Sequence, residues 1–261
     1  MLTRIKVPER SEGFLYRAKL AITVLIVIAN ESEVKLFFKC DIIKMMKIAC
    51  PPKPWRRWEE KLPGVQKNIP LSRFTTFRIG GKARYFFDAK TKEDVIKALK
   101  AAKELGLPFF ILGAGSNVLV SDKGFDGLVI KIRNSKLEIK NFDDEFNFIC
   151  DAGVSLAKIV SETLKLSATG FEWAAGIPGA LGGAIYGNAG AFGKSMRDSI
   201  ETVEVYKLDN DDVLILQNKD CEFNYRESIF KKNKELIIIS AVLNFKKGDR
   251  DRIEKEIKEK I

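Results

Sequence analysis

Apolar residues recur at helical and strand periods through most of the chain after residue 80. Val95, Ile96, Leu99, Ala102 and Leu105 form a stripe of period 3.6. Thr91 with Asp94 three residues later makes an acidic capping box before it, and Gly106 and Pro108 close it. The pattern predicts strands over Ala83–Asp88, Phe109–Leu112, Val118–Val120, Leu128–Ile132 and Phe146–Asp151. Gly124–Gly127 separates two of these as a turn. Ser155 caps a helix carrying Leu156, Ile159, Val160 and Leu164. Val203–Leu208, Asp212–Leu216 and Leu236–Phe245 read as strands of an antiparallel sheet. The expected class is α+β with two sheet-bearing lobes.

The two ends read differently. Pro51, Pro52, Pro54, Pro63 and Pro70 make residues 50–70 a broken, non-helical lead-in. The apolar run Leu20–Ala29 follows Arg17 and Lys19. Ten residues of helix rise only ~15 Å, too little to span a bilayer core. A signal-peptide core, a buried strand, or untranslated sequence ahead of a start at Met45 or Met46 remain open for it. At the other end, Asp249 begins a charged helix with Ile253, Ile257 and Ile261 four apart. Glu254–Lys258 and Glu256–Lys260 are favourable pairs along it. Its stripe is still running at Ile261, with no closing glycine or proline, as if the chain were cut in mid-helix.

Composition narrows the chemistry. The chain has 261 residues, enough for one or two domains, and 46% hydrophobic residues, enough for a core. It contains no histidine. That excludes a Ser-His-Asp or Cys-His nucleophile, a histidine base and any His-ligated metal; no metal site is expected. Cys40, Cys50, Cys150 and Cys221 lie far apart with no C-x-x-C, which suits scattered reduced thiols in a cytoplasm. The net charge is +10, and residues 1–60 supply half of it, with twelve Lys and Arg against seven Asp and Glu. No nucleic-acid module accompanies that excess, so a solvated basic surface is expected and no nucleic-acid partner. The chemistry has to come from a cofactor.

Glycine points to which one. Gly176–Gly193 holds seven of the nineteen glycines in eighteen residues, and Gly113-Ala114-Gly115-Ser116-Asn117 is a second such loop. Glycine lets backbone approach a ligand closely and turn its amides onto an anion. Tight turns are the alternative for either segment. Two such loops fit an extended diphosphate. The Gly113–Asn117 loop is no dinucleotide fingerprint, since it lacks the third glycine and runs into β-branched residues, and neither loop ends as a P-loop.

Four blocks then carry a resemblance: FTTFRIGGKA at 74–83, LGAGSNVLVSD at 112–122, AGIPGALGGAIYGNAGAFG at 175–193 and FNYRESIFK at 223–231. In order and spacing, over residues 62–250, the chain resembles the UDP-N-acetylenolpyruvoylglucosamine reductases, the MurB flavoenzymes. The resemblance implies a two-lobed FAD-binding fold of the vanillyl-alcohol-oxidase (PCMH) type. Its expected divisions are an N-terminal extension at 1–48, a first FAD lobe at 49–122, a second at 123–248, and the start of a substrate-binding domain at 249–261. It also implies a cytoplasmic enzyme in which NADPH reduces FAD. The flavin N5 then passes hydride to UDP-N-acetylglucosamine enolpyruvate, giving UDP-N-acetylmuramate for peptidoglycan.

Carried over by position, Gly113, Gly115, Ser116 and Asn117 match the family's loop on the FAD diphosphate. Ile177, Pro178, Gly179, Gly182, Gly183, Asn188 and Gly190 match its second cofactor segment. Arg226 matches the catalytic arginine, whose fork grips a carboxylate and steadies a developing enolate, and Tyr225 lines the substrate site. Phe192 departs from the family's usual tyrosine. The S-A-G-S-type serine that donates the proton and a late glutamate have no counterpart before Ile261, and Ser228 is not that serine. Of three catalytic residues only Arg226 is present. The expectation is therefore an impaired full reaction, since loss of a general acid costs ~10²–10⁴-fold. The alternative is a non-catalytic FAD-binding fragment.

Overall fold

In the computed structural model, which describes residues 58 and 60–260, two sheets carry the chain. The first is built from β1 (Gln66–Pro70), β2 (Lys82–Ala89), β3 (Phe109–Leu112) and β4 (Phe125–Ile132), with helix α1 (Lys92–Glu104) between β2 and β3. Its order is β1-β2-β4-β3. β1 runs antiparallel to β2, while β4 pairs in parallel with both β2 and β3. β4 is central and buried on both faces, which is why its sequence is almost continuously apolar. Leu128, Ile130 and Ile132 enter the main core, and Val129 packs with Phe86, Leu112, Val120 and Leu71 in a smaller cluster on the other face. The expected lobe division at residue 122 falls ahead of this strand; the change of sheet comes after Ile132.

The second sheet takes β5 (Leu137–Phe142), β6 (Glu145–Asp151), β7 (Ala168–Thr169), β10 (Ile200–Lys207), β11 (Asp212–Gln217) and β12 (Leu236–Lys247). Its order is β11-β10-β12-β6-β5, antiparallel throughout, with β7 beside the end of β12. Helix α2 (Leu156–Lys165) lies between β6 and β7. Between β7 and β10 come α3 (Leu181–Tyr186) and the hairpin β8 (Gly190–Ala191) and β9 (Lys194–Ser195). α4 (Ile229–Lys232) precedes β12, and α5 (Arg250–Lys258) follows it. One continuous core joins the sheets, with Tyr85 and Leu128 of the first packed into the same cluster as Phe148 and Leu243 of the second. Lys92, at the start of α1, reaches across to Glu204 of β10 at 2.5 Å and Ser240 of β12 at 3.1 Å.

The helix signals behave as their chemistry requires. Thr91 accepts from the Asp94 amide at 3.1 Å, and the Asp94 carboxylate accepts from the Thr91 amide at 3.1 Å, closing the box. Ser155 caps α2 through the Lys158 amide, and Asp249 caps α5 through that of Arg252. The Glu254–Lys258 and Glu256–Lys260 pairs form at 2.7 and 3.4 Å.

Several expectations fail for identifiable reasons. Val118–Val120 is irregular. There the backbone crosses Gly80–Gly81, with the Gly81 amide donating to Ser121, instead of entering a ladder. The turn expected over Gly124–Gly127 is already strand from Phe125, because β4 starts pairing with Ala83 there. Within the lead-in, residues 58, 60 and 61 are helical; Trp58 and Leu62, four apart and fully buried, draw that turn onto the core. β1 and β5, both edge strands with mostly exposed positions, carry too little alternation to be legible. α3 lies inside the glycine segment read as loop. Burial of Leu181, Ala184 and Ile185 outweighs a glycine cost of ~1 kcal/mol per residue. The readings of Leu20–Ala29, Met45 and Met46, Pro51–Pro54, Cys40, Cys50 and Ile261 lie outside the described residues. Among the described residues no helix is long and apolar enough to cross a membrane.

Candidate cofactor and active site

The first glycine loop leaves the C-terminal end of β3, where an open sheet with parallel strands customarily holds its ligand. Gly115 has φ +75°, and a Cβ on it would fall 1.9 Å from the Phe74 carbonyl oxygen. No side chain fits. The same close approach lets the Thr76 amide donate to the Gly115 carbonyl at 3.0 Å, so block 74–83 forms the wall behind the loop. The amides of Ala114, Gly115, Ser116 and Asn117 have no acceptor among the described residues, although Gly115 is buried and Ser116 half-buried. A run of unpaired amides around a left-handed residue is an anion-binding concavity.

The second glycine segment meets this loop. A Cβ on Gly113 would lie 3.5 Å from the Ala180 Cβ, and one on Gly179 would lie 3.8 Å from Ser116 Oγ. Strand-like bonds hold the segment to the second sheet. Leu156 N–H donates to Gly179, Leu181 N–H to Val154 and Gly182 N–H to Ala152. The glycines here serve different ends. Gly182 packs on Ala152 and Gly190 on Lys194, where a Cβ would come within 2.9 and 2.5 Å, so both serve close packing. Gly183 is exposed and a Cβ there would meet nothing within 4 Å, leaving room beside the segment. Ile177 is half-buried and Pro178 exposed in the approach to α3.

Three hydrogen bonds then fasten block 223–231 to the segment. Asn188 Nδ2 donates to the Asn224 carbonyl at 2.8 Å, Arg226 Nη2 to the Gly190 carbonyl at 3.1 Å, and Ser228 Oγ to the Tyr186 carbonyl at 2.7 Å. Asn188 is buried, and its Oδ1 also accepts from the Arg197 amide, so protein groups already engage both ends of its side chain. Ser228 is fully buried. Arg226 sits at φ +56° in a turn closed by reciprocal bonds between Asn224 and Glu227. It is exposed, and no carboxylate among the described residues pairs with it. Tyr225 and Phe192 stand out at 86% and 70% exposure, with Lys260 over the Phe192 ring. The glycine loops and Arg226 are thus joined through α3 and β8. Tyr225 projects from the same turn into solvent.

One residue escaped the sequence reading. Lys131, in the central strand β4, is 8% exposed, and its Nζ donates to the Gly113 carbonyl. A lone cation inside Leu128–Ile132 was the available signal. The two described cysteines, Cys150 and Cys221, are free, and burial pushes both thiols up to about 12, so neither is a nucleophile.

Two sheets share one core, and the glycine loops meeting at their junction place unpaired amides where a nucleotide's phosphates could sit. The FAD binding domain family matches residues 83–215, about half the chain, and the chain belongs to that family. The chain is also similar to UDP-N-acetylenolpyruvoylglucosamine reductases. The UDP-N-acetylenolpyruvoylglucosamine reductase of Caldanaerobacter subterraneus subsp. tengcongensis is 40% identical over 192 residues, covering 74% of this chain and 62% of that protein. The reductase of Clostridium botulinum strain Alaska E43 is 39% identical over 197 residues, covering 75% and 62%. The chain thus spans about three-fifths of the length of these curated relatives. The crystal structure of the MurB reductase from Thermus caldophilus superposes with a TM-score of 0.64 at 27% identity, over 75% of this chain and 67% of that one. A solvent-stable cholesterol oxidase superposes at 0.52 with 14% identity, over 70% and 37%, a likeness of fold. The fold is the two-lobed α+β FAD-binding type.

Proposed function

We propose that this chain binds FAD across the junction of its two sheets and serves the NADPH-dependent reduction of UDP-N-acetylglucosamine enolpyruvate to UDP-N-acetylmuramate, a cytoplasmic step of peptidoglycan precursor synthesis. The observation that carries the proposal is the meeting of the two glycine segments around unpaired amides, in a chain 40% identical to a reductase of that name. These residues fit a diphosphate. The amides of Ala114–Asn117 and the Ser116 hydroxyl would hold it, with Gly115 letting that loop lie against the Phe74 backbone, and the open flank at Gly183 would give the flavin ring room along the segment. FAD, when bound, supplies two-electron chemistry between a nicotinamide donor and a carbon–carbon double bond.

Arg226 would bind the carboxylate of the enolpyruvyl group. One of its five donors is spent on Gly190, which fixes the guanidinium and leaves its other edge for a bidentate grip. A cation there also favours the charge that spreads onto that carboxylate as the neighbouring carbon becomes nucleophilic. Tyr225, exposed beside it, would cover the substrate. Because the chain spans 62% of its relatives, a second reading stands beside the first: a unit that holds FAD without completing the reaction.

The test is a visible spectrum of the purified protein with added FAD, followed by anaerobic titration with NADPH and then substrate. Flavin bands that bleach with NADPH and recover on adding the enolpyruvyl sugar are the expected result. Bleaching without recovery selects the second reading, and a protein that takes up no FAD overturns both.

A further inference from the structure

The expense of burying Lys131 is unexplained by the fold. It lies in the middle of a sheet, opposite Leu112 on β3 and Asp88 on β2, on the same face of β4 as Val129. Burial there lowers its pKa, Arg133 lowers it further, and Asp88 acts the other way. Asp88 is not its partner, however, because the Arg133 Nε takes that carboxylate at 2.6 Å. Among the described residues no carboxylate lies within ion-pair distance of Lys131. A buried charge without a counter-ion is costly, and a methionine of similar volume would fill the position more cheaply. What the ammonium does touch is the carbonyl of Gly113, the first residue of the loop whose next four amides are unpaired.

We propose that Lys131 is an anion-binding residue of the cofactor site, supplying the positive charge behind the 113–117 loop and drawing the Gly113 carbonyl back so that the following amides face the diphosphate. The inference deepens the FAD reading and rests on it for the identity of the ligand. Its physical basis is separate: a diphosphate in the loop is the counter-ion that Lys131 lacks. Backbone amides alone offer partial charges, whereas a desolvated ammonium close behind them adds a full one in a weakly screened setting. A bound anion would in turn favour the charged lysine and reverse the effect of burial.

The experiment is calorimetric titration of the full chain and of K131M, K131Q and K131R with FAD, ADP and adenosine, together with the melting temperature of each ligand-free protein. ADP carries the diphosphate without the flavin, and adenosine carries neither. The expected result is that K131M and K131Q lose about ten- to a hundredfold in affinity for FAD and ADP, the scale of one charge-assisted bond, while K131R stays within a few-fold. Adenosine binding stays the same in all four. Ligand-free K131M melts no lower than wild type, because the uncompensated charge is gone. Glutamine keeps a donor for Gly113 without the charge, so K131Q with wild-type affinity overturns the proposal, as does K131M that melts lower yet binds normally. If wild type takes ADP but not FAD, the flavin reading fails and the K131Q titration with ADP still decides the role of the lysine. If it takes neither, both fall.

Discussion

Gly115 is the residue on which the cofactor loop turns. Its φ of +75° is open to most side chains only at a cost, and the Phe74 carbonyl 1.9 Å from a would-be Cβ closes the space altogether. The obstacle is backbone, which cannot rotate aside. Gly115→Ala is therefore expected to cost about 3 kcal/mol or more and to displace the four free amides. Chemical denaturation should show the loss of stability, and titration should show FAD binding weakened beyond tenfold. An alanine protein that binds FAD like wild type would mean that the loop does not hold the cofactor. Gly183, by contrast, has open space around it, so a methyl there should leave stability nearly unchanged and disturb only what lies against that flank.

Between elements, the coupling that matters joins the glycine segment to the turn that carries Arg226. The three bonds from Asn188, Arg226 and Ser228 place a catalytic candidate from residues 223–231 against β8 and α3, which are remote from it in sequence. Asn188 is the hinge pin, engaging Asn224 on one side and Arg197 on the other. Asn188→Ala leaves a carbonyl and an amide without their partner, and is expected to lower stability by about 1–3 kcal/mol. It should also raise the KM for the enolpyruvyl substrate more than it weakens FAD, because the turn is loosened while the 113–117 loop is untouched. Equal effects on both ligands would show that Asn188 supports the whole site and not the arginine in particular.

For the whole molecule, the relevant bond is the one between sheets. Lys92 on the first lobe meets Glu204 and Ser240 on the second. Burial works to raise the Glu204 pKa, but the donors from Lys92 and Ser240 outweigh it and hold the carboxyl below its ordinary 4.5. A carboxylate whose pKa is depressed by folding adds stability that is complete above its unfolded value and disappears as pH falls through the folded one. Glu204→Gln is therefore expected to melt below wild type at neutral pH, with the gap closing as pH falls below 4.5. Melting curves across that range check it; a gap that persists in acid would mean that the glutamate's charge is not what ties the lobes. Since the glycine segments meet where the lobes join, FAD should raise the melting temperature of both proteins.

Much of this was legible in the residues themselves. Caps, turns and amphipathic stripes depend on neighbours a few positions away, so Thr91, Ser155 and Asp249 declared their helices without help from the fold. The absence of histidine and the density of glycine limited the chemistry in the same local way, and four motif blocks were enough to point to a flavoenzyme family. Contacts distant in sequence were not legible. Only the tertiary structure brought Gly115 onto Phe74, Ser116 beside Gly179, and Asn188 onto Asn224. It also placed β4 in the first sheet, because a parallel strand takes its place in a sheet from partners far along the chain. Lys131 shows the limit most clearly: within its strand it is an apolar run interrupted by one charge, and its meaning depends on a loop eighteen residues earlier that only folding places above it.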